Sequence, residues 1–220
     1  MAGADRAAAD PATFAGGVLD RYRHVCAFVN GPQEQDAVLD PFVRQGVDRG
    51  DRLLYLVDPA ESAGPVNRLR HLGYDAAGLL EGHRCEVHTW TDTYLRGGHF
   101  DQDDMLDLLD EMLVRQSPPR IRLVADMGWA ADRRDVADSL IEFEARANFI
   151  HARHEHVVIC SYDVARFDGA FIIDILRTHP LVLIGGVLQV NPFFLPPSEF
   201  IEERSARESR RRSDGPTRPT

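Results

Sequence analysis

Seven short apolar runs, His24–Val29, Arg52–Val57, Cys85–Thr89, Ile121–Asp126, His156–Tyr162, Leu181–Ile184 and Val187–Val190, mark out the chain. Helix-length amphipathic stretches separate the first five. Strands that alternate with helices cannot pair as neighbours in a hairpin, so they are expected to lie parallel in one sheet with helices on its faces. The last two runs are separated only by Gly185-Gly186, a pair that permits the positive φ angles of a tight turn, and they predict an antiparallel hairpin at the C-terminal end of the sheet. The expected fold is α/β, a mainly parallel central sheet flanked by helices with a C-terminal β-hairpin.

The intervening helices follow from local signals. A first helix is expected over about Gln33 to Arg49, with Val38, Phe42 and Val43 inward and Pro41 within it. Asp58-Pro59-Ala60-Glu61 carries a capping pattern for a second helix that ends before Gly73. A third begins after Asp101, a fourth carries Val136, Leu140, Phe143, Ala147 and Ile150 on one stripe, and a fifth spans about Gly169 to Arg177.

At 220 residues the chain can bury one full core, and residues 18–202 read as a single domain. Residues 1–17 are rich in Ala, Gly and Asp, and residues 203–220 are rich in Arg, Ser and Pro. Both read as disordered tails. The formal net charge of −10 argues against nucleic-acid binding by the folded part, because that binding rests on cations that neutralise phosphates. No membrane span and no signal peptide are expected, and three cysteines at no framework spacing suit a reducing, cytoplasmic setting.

The turn after the first strand reads Asn30-Gly31-Pro32-Gln33-Glu34-Gln35-Asp36. A phosphate loop belongs at this place in an α/β protein, with several glycines, a Lys and a Ser or Thr around backbone N–H donors. This turn has one Gly, no Lys and two acids. It excludes ATP in the ordinary pose and offers no phosphate cradle.

Several constellations remain. His24 and Cys26 share a strand face, and the His83-x-Cys85 spacing repeats theirs, so the two pairs form a zinc candidate to be weighed against buried thiols and ordinary polar histidines. Asp126, Tyr162 and Asp163 fall at carboxyl ends of strands, where ligands bind in open parallel sheets. Trp129 offers an aromatic wall or simply covers the core edge, and Asp163 caps a turn or faces a ligand. Tyr94 and Arg96 precede a Gly97-Gly98 pair that would suit a lid. Glu144 reads by itself as a solvated helix charge, and the histidines of 151–156 do not share a face. No nucleophile elbow and no activated thiol is present, so no catalytic residue is assigned.

Taken together, His24-Val25-Cys26-Ala27-Phe28, Arg52–Asp58, Thr93–Phe100, Met127-Gly128-Trp129-Ala130, Phe143-Glu144 with Asn148, Cys160-Ser161-Tyr162-Asp163, Arg177-Thr178-His179-Pro180 and Asn191-Pro192-Phe193-Phe194 resemble a MEDS domain over about His24 to Phe200. The resemblance implies a sensory domain for small hydrocarbon derivatives, built on a RecA/KaiC-like core that lacks the phosphate loop. It implies ligand-binding positions at His24, Cys26, Tyr94, Trp129, Glu144, Cys160, Tyr162, Asp163, His179 and Asn191. No cofactor and no metal ion is expected. Met127-Gly128-Trp129 departs from the family pattern, in which acidic and hydroxyl residues often precede the Trp. The expected partners are a small organic ligand and, because no output domain is read in the sequence, a separate histidine kinase, anti-sigma factor or transcription regulator. The alternative reading is a degenerate RecA-like nucleotide-binding protein or residual ATPase.

Overall fold

A computed structural model describes residues 12–19, 22–114, 120–131 and 133–213. Two short strands, β1 (Ala12–Phe14) and β2 (Gly17–Leu19), form an antiparallel hairpin. β3 (His24–Val29) leads through Gly31 into α1 (Pro32–Asp48). Gly31 has φ 85°, a left-handed angle that glycine adopts without strain, and Pro32 occupies the first turn, where its missing N–H costs nothing. β4 (Arg52–Val57) follows, then α2 (Gly64–His71), α3 (Ala76–Glu81) and β5 (Cys85–Thr89). α4 (Gln102–Val114) returns the chain to β6 (Ile121–Asp126), α5 (Ala137–His151) to β7 (Val157–Asp163) and α6 (Gly169–Thr178) to β8 (Leu181–Ile184). β9 (Val187–Val190) and α7 (Pro197–Ser213) complete it.

β3 to β9 form one seven-stranded sheet in the order β5-β4-β6-β7-β3-β8-β9. All pairings are parallel except the β8–β9 hairpin, as the sequence predicts. β3 lies between β7 and β8, which explains why all six of its residues are buried and why its sequence is apolar throughout. Alternate side chains build two cores. Val25, Ala27, Leu53, Tyr55, Val124 and Ile159 pack under α1 with Phe14, Phe42 and Leu69. Cys26, Phe28, Leu54, Ala125, Cys160 and Tyr162 pack under the other face with Leu109, Phe143, Ile175 and Phe200.

A buried arginine lies below α1. Arg122, on β6, has no exposed side-chain surface, and its Nε lies 2.7 Å from Asp51 Oδ2. Its two terminal nitrogens donate to Phe42 O at 3.2 Å and Gln45 Oε1 at 2.9 Å. Gly46 makes room for it, since a Cβ there would stand 2.7 Å from Arg122 Cδ.

The chain departs from the sequence reading at several places, among them α3, a helix that reading does not place, and β7, which is shifted by one residue. Residues 12–17, assigned to a tail, belong to the β1–β2 hairpin, and Phe14 meets Phe42 edge-to-face at 5.1 Å. The rest of that tail, residues 1–11, lies outside the described residues. Residues 203–213, also assigned to a tail, continue α7, whose Glu203 pairs with Arg177 of α6 and whose Arg204 pairs with Asp138 of α5, each at 2.5 Å. Residues 214–220 lie outside the described residues. After Asp58 the chain makes one 3₁₀ turn (Pro59–Glu61) before α2, because the Asp58 side chain accepts from the N–H of Ala60, two residues on.

Candidate functional site

Two chemically distinct places emerge, one on each face of the sheet. The first is a sealed polar cluster beneath α5. His24 opens β3, Cys160 sits at the middle of β7, Glu144 points inward from α5, and His179 follows α6. Their ligating atoms all lie within 4.8 Å of one another, and all four residues are buried. Glu144 is 1% exposed, so the solvated charge suggested by its helix position is instead the centre of a cluster.

The hydrogen bonds fix how each group faces. Asn148 Nδ2 donates to the carbonyls of Glu144, Ala145 and Thr178 at 3.0, 3.2 and 2.8 Å. That leaves Asn148 Oδ1 to accept from His24 Nδ1 at 3.1 Å. His179 Nδ1 lies 3.0 Å from the carbonyl of Ile175, which can only accept. Both imidazoles therefore donate from Nδ1 and turn Nε2 inward, toward Glu144. His24 Nε2 lies 3.4 Å from Glu144 Oε2 and 3.4 Å from Cys160 Sγ, and His179 Nε2 lies 3.5 Å from the same carboxylate oxygen. Tyr162 donates its hydroxyl to Glu144 Oε1 at 2.6 Å.

Burial pushes the Glu144 carboxyl up, but His179, His24 and the Tyr162 hydroxyl together hold it below the usual glutamate range. Burial, with His24 beside it, lowers His179 to about 3. The thiol of Cys160 is pushed well up by burial and then by the Glu144 charge, and Tyr162 rises for the same two reasons. Neither is an activated nucleophile.

Cys26 is the register partner of Cys160 on the same face and is fully buried. Asn191 acts one step further out. Its Nδ2 donates to the carbonyls of Leu176 and His179 at 2.6 and 2.7 Å, which fastens the segment that presents His179. Sequence reasoning left Asn148 and His151 out of the site. The His151 ring lies 4.5 Å from that of His24, and its spacing of seven from Glu144, two helical turns, is the signal that places it on the same face of α5. The zinc pairing of His24-x-Cys26 with His83-x-Cys85 does not form. β5 is separated from β3 by β4, β6 and β7, about 19 Å at ordinary strand spacing, and Cys85 belongs to the opposite core.

Tyr94 and Trp129 stack on each other at 5.1 Å, with Phe100 and Phe143 against them. Both are buried, and neither lines the cleft described next. Tyr94, Arg96 and Gly97 border a hollow of about 640 Å³ between their loop and α4.

The second place is a cleft of about 690 Å³ at the carboxyl ends of β3, β4, β6 and β7, between α1 and α2. Leu39, Tyr55, Val57, Pro65 and Val124 give it apolar walls, and Gln35, Asn67 and Asp126 reach it with polar groups. Acids dominate its charge: Asp36, Asp40, Glu61, Asp126 and Asp163 face Arg68 and Arg166. Arg68 is engaged by Asp36 at 2.6 Å and by Asp40. Asp126 accepts from the N–H of Gly128 at 2.9 Å, and burial raises its carboxyl above the usual aspartate value. At the turn into α1, the N–H of Asn30 donates to Glu34 Oε2 at 2.8 Å. A carboxylate thus takes a donor that a phosphate loop would leave open. Of the predicted ligand positions, only Asp163 lines this cleft. His24, Glu144, Cys160, Tyr162 and His179 meet in the buried cluster.

Such an arrangement defines an α/β domain with a ligand-sized cleft at its strand ends and no phosphate cradle. The family model described as MEDS, the MEthanogen/methylotroph, DcmR Sensory domain, matches residues 23–180, and the chain belongs to that family. It is similar to the transcriptional repressor DcmR of Methylorubrum extorquens (strain DSM 6343 / CIP 106787 / DM4), 26% identical over 167 residues, covering 71% of this chain and 57% of that protein. The chain therefore spans little more than half the length of this curated relative. Membership of that family makes the chain a sensory domain. No helix among the described residues is long and apolar enough to cross a membrane.

Proposed function

We propose that this domain is a non-catalytic sensor that takes a small organic molecule without a phosphate group, such as an alcohol, an amine or another hydrocarbon derivative, in the carboxyl-end cleft. The observation that carries the reading is the cleft's size and charge together. Its volume of about 690 Å³ suits a small ligand, and its acids outnumber its arginines where an anion would have to sit. Asp126 and Gln35 would accept hydrogen bonds from a hydroxyl or an ammonium, and Tyr55, Val57 and Val124 would hold the carbon skeleton.

The strand order and the position of Asp126 at the end of β6 support reading the core as RecA/KaiC-like, turned from nucleotides to sensing. Three free cysteines support a cytoplasmic setting. Occupancy would close α2 toward α1, and a histidine kinase, anti-sigma factor or transcription regulator would read the change. The ligand must bind one state more tightly than the other for this to work.

A thermal-shift screen of alcohols, amines and halomethanes against nucleotides tests the proposal. At least one small organic compound is expected to raise Tm, with the shift lost in Asp126→Ala. A screen in which nucleotides alone raise Tm contradicts it and favours the degenerate nucleotide-binding alternative.

A further inference from the structure

We infer that His24, Glu144, Cys160 and His179 form a closed, four-ligand site for a divalent transition-metal ion of zinc type. The inference is independent of what occupies the carboxyl-end cleft and reverses the expectation, drawn from the sequence, that no metal is held.

The first ground is distance. Zinc–nitrogen and zinc–oxygen bonds of about 2.0–2.2 Å and a zinc–sulfur bond of about 2.3 Å put neighbouring ligand atoms about 3.3–3.7 Å apart in a tetrahedron. His24 Nε2 stands 3.4 Å from Glu144 Oε2 and 3.4 Å from Cys160 Sγ, and His179 Nε2 stands 3.5 Å from Glu144 Oε2. Cys160 Sγ stands 3.9 Å from the same carboxylate oxygen. Four edges of the figure are thus already near ligating length in the protein alone.

The second ground is direction. Hydrogen bonds to Asn148 Oδ1 and to the Ile175 carbonyl hold the Nδ1 protons of His24 and His179 away from the cluster. Outer hydrogen bonds of this kind orient metal-binding imidazoles and select the tautomer that offers Nε2. His179 Nε2 is buried, points at Glu144 and has no hydrogen-bond partner. Two Nε2 atoms converge on one carboxylate oxygen at 3.4 and 3.5 Å, a placement that calls for positive charge between them. A divalent ion would supply that charge, and Tyr162 would keep the remaining Glu144 oxygen satisfied.

Two imidazoles, one carboxylate and one thiolate suit an ion of intermediate softness rather than calcium or magnesium, which favour oxygen alone. With four protein ligands the site has no open position, which is the structural form of a zinc centre rather than the hydrolytic one. Its ligands come from β3, α5, β7 and the segment after α6. Binding would release the Cys160 proton and staple the central strands to their covering helices.

The test is metal content and Co²⁺ substitution in the full-length chain. The chelator-treated protein is expected to take up one Zn²⁺ or Co²⁺ per chain with a rise in Tm. The Co²⁺ form should show tetrahedral d–d absorption and a thiolate-to-cobalt charge-transfer band. That band should disappear in Cys160→Ser and persist in the Cys26→Ser/Cys85→Ser double variant. If Cys160→Ser does not fold, the double variant decides alone: a retained band leaves Cys160 as its source, and a lost band overturns the assignment. Failure of the folded wild type to bind either ion, or binding without the thiolate band, also overturns it. The cluster would then be a proton-sharing network.

Discussion

Single side chains account for much of the specificity of both cores. The Tyr162 hydroxyl is one of the groups that satisfy a carboxylate sealed from water. Tyr162→Phe removes a hydrogen bond to a charged acceptor and is expected to lower stability by about 2 kcal/mol in denaturant unfolding. On the opposite face, Arg122→Ala takes the closer arginine partner from the buried Asp51 and leaves the Arg120 pair, and is expected to cost about 3 kcal/mol. Arg122→Met loses the guanidinium that lies 4.8 Å over the Phe42 ring but keeps the buried hydrocarbon stem, and should cost less. His156 adds a pH dependence. The N–H of Ile121 donates to its Nδ1 at 2.9 Å, Nε2 donates to Leu113 O at 3.0 Å, and burial holds it below the usual histidine value. Because the folded-state value is lowered, its contribution is complete above the unfolded value of about 6.5 and is lost as pH falls below it. Tm is expected to decline from pH 7 toward pH 5, and His156→Gln should flatten that decline.

At the scale of elements, period and turn chemistry made most of the sheet legible. Six strands of the large sheet match their sequence-predicted bounds, and β7 is shifted by one residue, because continuous apolar runs bounded by polar or Gly/Pro residues leave little freedom. What escaped were elements whose stability is tertiary. β1 and β2 are three residues each, and Phe14 is held by packing on Phe42 rather than by any local pattern. Residues 203–213 of α7 read as part of an Arg-rich tail, but the helix begins at Pro197 and is anchored by Phe200, which lies in the core with Arg177 over its ring at 5.5 Å. Phe200→Ala is therefore expected to destabilise the protein by about 3–4 kcal/mol and to speed hydrogen exchange in α7 and in the part of α5 that it covers. Unchanged stability would mean that α7 does not dock.

For the whole molecule, the candidate site was legible in its members and not in its partition. His24 and Cys26 follow from strand alternation, but no spacing in the sequence shows that Glu144, 120 residues away, meets His24 above the sheet. Trp129 and Tyr94 were expected to wall a ligand, and they pack on each other instead. The cleft was hidden because α1 and α2 build it from residues that look like ordinary helix polars, Gln35, Asn67 and Arg68. Its location at the strand ends was nonetheless foreseeable from the parallel order alone. The central claim, a sensing cleft that has exchanged phosphates for small organic molecules, is tested most directly by backbone NMR titration of the folded chain with the compounds of the thermal-shift screen and with ATP. The account predicts shift changes centred on Gln35, Tyr55 and Asp126 with an alcohol or amine and none with ATP. Changes at those residues with ATP alone would contradict it.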